Sequence, residues 1–509
     1  MLRLRVFRNL PCFIFKYLIT HRMAFFSLSF PALIRSIPEL IAGPWPLGFD
    51  TVSSYAPFVK IVQTQGLEPA FAGLLWREHV APLLYWILGL IASFISLSPF
   101  AVTKSIAPLL YALLGVSLYS FARRGLVWDQ KKAFLLVIIA SLYFVPLRLS
   151  WDLYKNTLGY AFFLLAMAHT HRSDTRNSMI SVVYTSLGVL SDELTAFLLG
   201  VFGVVLFLLE LSRRRFSIRF LTMSCVGMVG SFFYLGILIP MGSSPSPLAP
   251  MPQQTIIPFN YIGTGIDPFI YPSIANLYAS ALLLSGMVLA PIVPLAPLGI
   301  VRERCLSIWT AFLSVTAFSV FFWPFGAIPF WYRWLFMLVL PLLIFVTNAV
   351  TRIKAGRSIL AGFIMCEIIL TSAFIVLPPN NALPYFSSPF TNTYVPSSML
   401  QNTVPLNDSA IVVDSIGWLN AMHFDRSVVV APYSFSGWAQ IYLVGMNVYA
   451  YQDPSQVDHG NFRSYDYVFL LFWATGQGWF NPQLMPHNVT LFHQEGPIAV
   501  YCVGRPLCQ

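Results

Sequence analysis

Eleven apolar runs of about 18 to 25 residues fill the first three quarters of the chain. A helix of about 20 apolar residues crosses the hydrocarbon core of a bilayer, so each run predicts a membrane-spanning helix. We therefore expect a polytopic α-helical membrane protein of about eleven transmembrane helices. The predicted spans are residues 23–42, 101–121, 132–149, 152–169, 178–192, 193–211, 217–240, 273–299, 305–323, 329–350 and 357–377.

A twelfth apolar run, residues 80–97, is not counted as a span. If it crossed the membrane, the basic loop at residues 123–132 and every later basic loop would change side. If it does not cross, five basic loops and the basic N-terminus share one side, as cytoplasmic segments rich in Lys and Arg do. We therefore predict a cytoplasmic N-terminus and an aromatic-rich surface helix inside a first outer loop of residues 43–100.

The composition agrees with a membrane protein. Of the 509 residues, 57% are hydrophobic and only 10% are charged, whereas soluble domains carry about 25% charged residues. The net charge of +10 would suit a nucleic-acid-binding protein. However, the basic residues lie in short clusters between apolar runs, so we predict a multi-pass protein of the cell membrane with the lipid bilayer, and no nucleic acid, as a partner.

The pattern changes after a transmembrane module that ends at residue 377. Residues 378–400 are rich in Pro, Asn and Ser and predict a linker. Residues 401–509 then predict a small α/β domain with one helix at 437–444. An odd number of spans puts this domain outside the cell. Its six predicted strands are residues 410–414, 427–433, 446–451, 467–473, 488–493 and 498–503.

Charged side chains gather on the predicted outer side, at the ends of apolar helices. Asp50 follows the first span in GPWPLGFD, where prolines and glycines stop a helix. Asp152 lies where the third span passes into the fourth, the pair Asp192 and Glu193 where the fifth passes into the sixth, and Arg333 in the tenth. Partial burial raises the pKa of a carboxylate and makes it a better base, while arginine binds phosphate through paired donors. The pattern predicts an outer-face reaction site.

Four segments in this order resemble the GT-C superfamily, polytopic glycosyltransferases that use polyprenyl-phosphate donors. They are GPWPLGFDTVSSYAP, RLSWDLYKNTLGYAF, SDELTAF and YRWLFMLVLPL, with a PLLYW surface helix after the first. The resemblance implies a GT-C-like fold, a polyprenyl-phosphate-linked sugar as donor and Asp50 as the catalytic acid of the first loop. It also implies that Asp152 matches a second-loop acid that is a metal ligand in some members. Arg333 matches a phosphate-binding arginine by position.

The candidate residues also have structural explanations. Asp50 and Asp152 suit the N-caps of the helices that follow them, and Arg333 suits a position where its charge reaches the aromatic interface. The two aspartates are the candidate catalytic residues. They are also candidate ligands of a divalent cation such as Mg or Mn, and the sequence leaves metal use open. Further candidates for substrate binding are Asp192, Glu193, His79 and Lys155.

We therefore expect an inverting hexosyl- or pentosyltransferase with Asp50 as general base and a glycan, lipid or protein as acceptor. The chain has no WWDYG-like motif and no second acid after Asp50, which leaves the donor sugar open. One alternative is an oligosaccharyltransferase-like enzyme. Another is a transporter or lipid flippase that works through Glu367 and the proline-broken residues 289–297. For Glu367 we predict a buried protonated carboxyl bonded to a neighbouring helix.

Overall fold

The computed structural model describes residues 22–76, 80–170, 174–234, 273–322, 331–353, 356–376, 404–422, 424–451, 454, 457, 459–474 and 488–504. The predicted linker at 378–400 lies outside them. Helices build the membrane part: α1 (Arg22–Ile41), a π-helix (Thr51–Tyr55), α2 (Ala56–Gln65), α3 (Leu67–Trp76), α4 (Leu83–Phe94), α5 (Pro99–Arg124), α6 (Gln130–Leu142), α7 (Phe144–Asp152), α8 (Tyr154–Thr170), α9 (Thr175–Ser191), α10 (Glu193–Ser212), α11 (Ile218–Tyr234), α12 (Ile274–Leu289), a 3-10 helix (Ala296–Gly299), α13 (Arg304–Ala317), α14 (Ser319–Phe322), α15 (Trp331–Arg352) and α16 (Gly356–Val376).

Every predicted span overlaps a helix or a pair of helices in the described residues. Five of these helices, α1, α5, α10, α15 and α16, are long and apolar enough to cross a membrane, and the pair α6 and α7 passes the same test as one bent unit. The chain is a multi-pass helical membrane protein, and the count of eleven stays a prediction. Helix α4 has 12 residues, a length of about 18 Å against a hydrocarbon core of about 30 Å. That length fits the predicted surface helix.

Helices α6 and α7 meet at an angle of 66°. The break at Tyr143 leaves the last carbonyls of α6 without helical partners. The Tyr111 hydroxyl lies 3.1 and 3.2 Å from the carbonyls of residues 140 and 141, and the Thr371 hydroxyl donates to Leu142 at 2.5 Å. Side chains of two neighbouring helices therefore stabilise the bend, which sets the direction of α7 and of Asp152 at its end.

Two charges inside α1 form an ion pair, as their i,i+4 spacing predicts. Arg35 is fully buried and its Nη2 lies 2.8 Å from Glu39 Oε1. Arg35 also donates to the carbonyls of Ser150 and Trp151 at 3.2 and 3.1 Å, and the Lys104 amino group lies 3.1 Å from Glu39. A buried ion pair needs such additional bonds, and here they join α1 to the end of α7.

Helix α15 is the most buried of the five long helices, because 89% of its apolar 18-residue stretch lies inside the protein. The Tyr160 hydroxyl of α8 donates to the Met337 carbonyl at 3.2 Å and accepts from Trp309 Nε1 of α13 at 2.8 Å. These bonds satisfy polar groups that have no water available inside the bundle. They also fix α15, whose N-terminal end carries Arg333.

In its described residues, the C-terminal domain is a mixed five-stranded sheet with two α-helices. Its elements are α17 (Leu406–Ala421), β1 (Ser427–Pro432), α18 (Tyr433–Tyr442), β2 (Asn447–Tyr451), a 3-10 helix (His459–Phe462), β3 (Tyr467–Trp473), β4 (Val489–Glu495) and β5 (Ile498–Val503). The strand order is β2-β1-β3-β5-β4. Strand β1 is parallel to β2 and β3, and β5 is antiparallel to β3 and β4. Five predicted strands and the predicted helix are confirmed.

The remaining prediction, a strand at residues 410–414, is wrong, because this segment lies inside helix α17. Its β-branched residues favour a strand locally. In the folded domain, however, Val412, Ile416 and Leu419 are buried at helical spacing against the sheet, and packing of that apolar face outweighs local propensity.

Glu367 lies in α16 and is 1% exposed, so its predicted burial is confirmed. The predicted bond to a neighbouring helix is wrong. Neither carboxyl oxygen has a hydrogen-bond partner among the described residues.

Candidate active site

The loop after α1 reaches the end of α7 at Gly48. This residue has φ +80°, a conformation that favours glycine. A Cβ atom there would lie 2.6 Å from Asp152 Cγ and 2.8 Å from Asp152 Oδ2, closer than atoms pack. The next N–H group, that of Phe49, donates to Asp152 Oδ2 at 2.8 Å. Glycine therefore permits the close approach that places Asp50 at the start of the π-helix.

Asp50 faces Arg333 across the site. Its Oδ2 lies 3.5 Å from Arg333 Nη2, and the Asp50 side chain is 24% exposed. It makes no capping hydrogen bond to the helix that follows, so the capping explanation does not hold. Burial of the carboxyl raises the pKa of Asp50, an effect that the Arg333 charge opposes and the charge of Asp152 reinforces. A carboxyl of this kind is a better base than an exposed aspartate.

Asp152 is the last residue of α7, and its carboxylate is 3% exposed. Arg148, one turn earlier in the same helix, donates to Asp152 Oδ1 at 2.5 Å, and Phe49 N–H donates to Oδ2. These bonds hold the carboxylate between α7 and the loop before Asp50. Asp152 thus supports the position of Asp50 and does not act as the predicted N-cap.

Asp192 and Glu193 bind different partners at the start of α10. Asp192 caps the helix, because its Oδ2 accepts from the Thr195 N–H and hydroxyl, both at 2.8 Å. Glu193 accepts from Lys155 Nζ at 2.7 and 2.9 Å and from the Ala81 N–H at 2.8 Å. Asp192 is therefore a helix cap. Glu193 instead fixes Lys155 and the start of the segment before α4.

Asn156 joins the two halves of the site. Its Nδ2 donates to Asp192 Oδ1 at 2.7 Å, and its Oδ1 lies 3.4 Å from Arg333 Nη1. Arg333 thus has Asn156 on one side and Asp50 on the other, and its side chain is 17% exposed. A chain of polar contacts runs from Asp50 through Arg333 and Asn156 to Asp192. The fold therefore brings the separate sequence candidates together at one end of the helices.

Arg148 and Asn156 are site residues that were not predicted from the sequence. Both lie in the segment RLSWDLYKNTLGYAF, and the i,i+4 spacing of Arg148 and Asp152 is a signal for an ion pair within a helix. Asn156 has no comparable signal, because its partners Asp192 and Arg333 are 36 and 177 positions away. His79, another candidate, lies outside the described residues.

The donor set does not favour the predicted metal site. Mg and Mn bind through several oxygen ligands, yet both Asp152 oxygens already accept hydrogen bonds from Arg148 and Phe49. Asp50 is paired with the Arg333 guanidinium. In the described part of the chain, no group of three His, Cys, Asp or Glu side chains could hold an ion. The metal site stays a prediction.

An apolar groove lies beside the polar site, between α9 and α11. Its volume is about 570 Å³. It reaches Pro82, which follows Ala81, the residue whose N–H binds Glu193. The Tyr234 hydroxyl at the end of α11 donates to the Val189 carbonyl at 2.8 Å and joins the two helices. The groove is lined by Pro82, Ser186, Val189, Leu190, Cys225, Val226, Val229, Gly230, Phe233 and Tyr234.

Comparison with known proteins gives no match to a family model or to a curated protein. The structure is similar to that of ArnT from Cupriavidus metallidurans bound to undecaprenyl phosphate, with a TM-score of 0.52 and 10% identity over 96% of this chain and 99% of that one. The chain has a GT-C-like fold. In it, the GT-C-like helices carry the site at one end and the small sheet domain follows them.

Two weaker likenesses have a TM-score of 0.45 and 12% identity. One is to the arabinofuranosyltransferase AftD from Mycobacteria, over 95% of this chain and 40% of that one. The other is to the Archaeoglobus fulgidus oligosaccharyltransferase tethered with an acceptor peptide, over 90% of this chain and 70% of that one.

Proposed function

We propose that the protein is a membrane glycosyltransferase that transfers a sugar from a polyprenyl-phosphate donor to an acceptor on the outer face. The GT-C-like fold supports this function, and the environment of Asp50 carries the proposal. Asp152, Asp192 and Glu193 each accept two or more hydrogen bonds. Among the described residues Asp50 has one ion pair and no capping bond, and its side chain is 24% exposed, against 30% for Glu193 and 3% for Asp152. It is thus the acid best placed to accept a substrate proton.

In the proposed reaction, Asp50 takes the proton of an acceptor hydroxyl or amide as the acceptor attacks the anomeric carbon. The bond between that carbon and the phosphate oxygen breaks, and polyprenyl phosphate leaves with both electrons of the bond. Arg333 stabilises the negative charge that develops on the leaving phosphate. A single displacement of this kind inverts the anomeric centre.

Asp152, Asn156 and Asp192 act through Asp50 and Arg333. Asp152 holds the loop before Asp50 through the Phe49 N–H. Asn156 and Asp192 orient Arg333 from the other side. Lys155, held by Glu193, supplies a second positive charge at the same end of the helices. We assign Lys155 to the donor phosphate together with Arg333.

The apolar groove supports a lipid-linked substrate. Its lining is almost entirely hydrocarbon, and it ends next to the Glu193 and Lys155 pair. A donor with an apolar chain and a phosphate head matches this change from apolar to charged surface. We propose that the site lies on the outer face of the cell membrane, as the positions of the basic loops indicate. The acceptor is a glycan, a lipid or a protein.

The test is an isosteric change of the proposed base. Wild-type protein in lipid nanodiscs is incubated with polyprenyl-phosphate-linked hexoses and pentoses and a membrane extract as the acceptor source. Released polyprenyl phosphate is measured by mass spectrometry. We expect Asp50→Asn to slow release by about 10²-fold or more, because general base catalysis contributes about that much.

Asp414→Asn is the matched control, because it makes the same change at an exposed position of α17. We expect it to retain the wild-type rate. A wild-type rate in Asp50→Asn would remove Asp50 from the mechanism. Failure of the wild-type protein to consume any of the donors would refute the proposed function.

A further inference from the structure

Helix α18 of the C-terminal domain contacts the backbone directly after Asp50. The contact is made at Gly437. A Cβ atom at Gly437 would clash with the Val52 carbonyl oxygen and lie 2.7 Å from its carbon and 3.0 Å from Ser53 Cα. Only a glycine allows the two backbones to approach this closely. Val52 is two residues after Asp50, so α18 touches the segment that carries the proposed base.

The same helix also contacts the segment before Asp50. The Trp438 ring packs edge to face on Trp45, with ring centroids 5.7 Å apart, and on Phe100 at 5.0 Å. Such aromatic pairs stabilise a contact beyond the area that they bury. Lys60, in the helix after the π-helix, donates to the Ile441 carbonyl at 2.5 Å. The contacts of α18 therefore lie on both sides of Asp50 in the sequence.

The segment held in this way is a π-helix, Thr51–Tyr55. A π-helix is rare and occurs mostly as a short insertion, frequently at functional sites. Because the Asp50 side chain makes no capping bond to this segment, contacts from outside the loop must fix its position. Asp152 supplies one contact through the Phe49 N–H, and Tyr55 stacks on Tyr154 of α8 with ring centroids 5.1 Å apart. Helix α18 supplies the contacts from the C-terminal domain.

We propose that α18 of the C-terminal domain positions Asp50 opposite Arg333, and that Gly437 is a positioning residue for the reaction. This inference rests on the proposed function for its effect on transfer. The domain then has a role in the chemical step, in addition to any contact with the acceptor. Through this contact, whatever binds the domain and moves α18 also changes the distance between Asp50 and Arg333.

The size of the effect follows from the contact. With alanine at 437, the 2.7 Å contact with the Val52 carbonyl carbon alone requires a separation of 0.7 Å to reach an ordinary 3.4 Å, and the closer carbonyl oxygen requires more. A displacement of about 1 Å in a catalytic group lowers the rate by up to about 10²-fold. Helix propensity itself favours alanine over glycine, so a loss in Gly437→Ala comes from the contact.

Two measurements on the full-length protein in nanodiscs test the proposal. The first is hydrogen exchange of the backbone in residues 46–58. The second is sugar transfer from the polyprenyl-phosphate-linked sugar that the wild-type protein consumes, measured as separate kcat and KM values. We expect Gly437→Ala to speed exchange in this segment and to lower kcat by about tenfold or more, with the donor KM unchanged within about twofold. Loss of folded protein would instead speed exchange throughout the chain, so wild-type exchange outside residues 46–58 is part of the expected result.

Gly417→Ala in α17 is the matched control, because a Cβ atom there meets nothing within 4 Å. We expect wild-type exchange and kcat from it. Lys60→Met removes a different contact of α18 without a clash, and we expect a smaller change in the same direction. It decides the question if Gly437→Ala does not fold.

Wild-type exchange and kcat in both Gly437→Ala and Lys60→Met would overturn the proposal. If the wild-type protein transfers no sugar from any donor, the proposed function fails, but hydrogen exchange still tests whether α18 holds the loop.

Discussion

Substituting Gly48 with alanine tests whether Asp152 supports the loop that carries Asp50. The new methyl group would clash with Asp152 Cβ and lie 2.6 Å from its Cγ, against 3.4 Å for ordinary contact, so the loop or Asp152 as a whole must move by more than 0.8 Å. The bond from the Phe49 N–H to Asp152 Oδ2, now 2.8 Å, lies directly beside this clash. We expect that bond to break and Asp50 to move away from Arg333.

Two effects add up in this variant. Alanine at φ +80° costs about 1–3 kcal/mol of backbone strain. Loss of a hydrogen bond to a buried carboxylate costs a further amount of about 1.5–3 kcal/mol. Gly66→Ala isolates the first effect, since Gly66 has φ +92° and a Cβ atom there meets nothing within 4 Å. The difference between the two variants is therefore the energy of the contact with Asp152, about 2 kcal/mol.

The assay is thermal unfolding of each variant in the same detergent, followed by size-exclusion chromatography, together with the transfer rate. We expect Gly48→Ala to melt about 2–4 °C below Gly66→Ala and to lose most of its transfer activity. We expect Gly66→Ala to keep the wild-type rate. Equal melting temperatures and equal rates would show that the approach to Asp152 does not hold the loop.

Two further predictions concern charge. Asp50 acts as a base only when deprotonated, so transfer falls as the pH drops through its raised pKa. Arg333 lowers that pKa, so Arg333→Gln should move the acidic limb of the kcat profile to higher pH, and a shift to lower pH would contradict the pairing. Glu367→Gln should leave transfer within about twofold of wild type, because no described residue hydrogen-bonds the carboxyl. Loss of lipid flipping in liposomes on this change, with transfer absent from the start, would favour the transporter.

The helices and most of the sheet could be predicted from the sequence because their signals are local. Apolar runs as long as a bilayer core leave a helix as the favoured structure, since backbone groups in lipid must bond within their own segment. Strands such as Ser427–Pro432 carry β-branched residues and are buried on both faces. Residues 410–414 carry the same local signal, yet packing of Val412 and Ile416 on the sheet makes them helical.

The candidate acids could be found because each one ends an apolar segment, but their partners could not. Asp192 is a cap and Asp152 is buried, and of these three acids Asp50 is the partly exposed one that faces Arg333. Nothing in the sequence near position 50 distinguishes these roles.

The distinction depends on contacts between distant segments. Gly48 meets Asp152, Asn156 meets Arg333, and Gly437 meets Val52. In two of these contacts a glycine permits the close approach. In the sequence, Gly48 indicates only the end of a helix, and Gly437 belongs to a short predicted helix. The close contact of each glycine with a distant backbone or side chain exists only in the folded chain. The part of the site that no local pattern encodes is therefore the part that sets the position of Asp50.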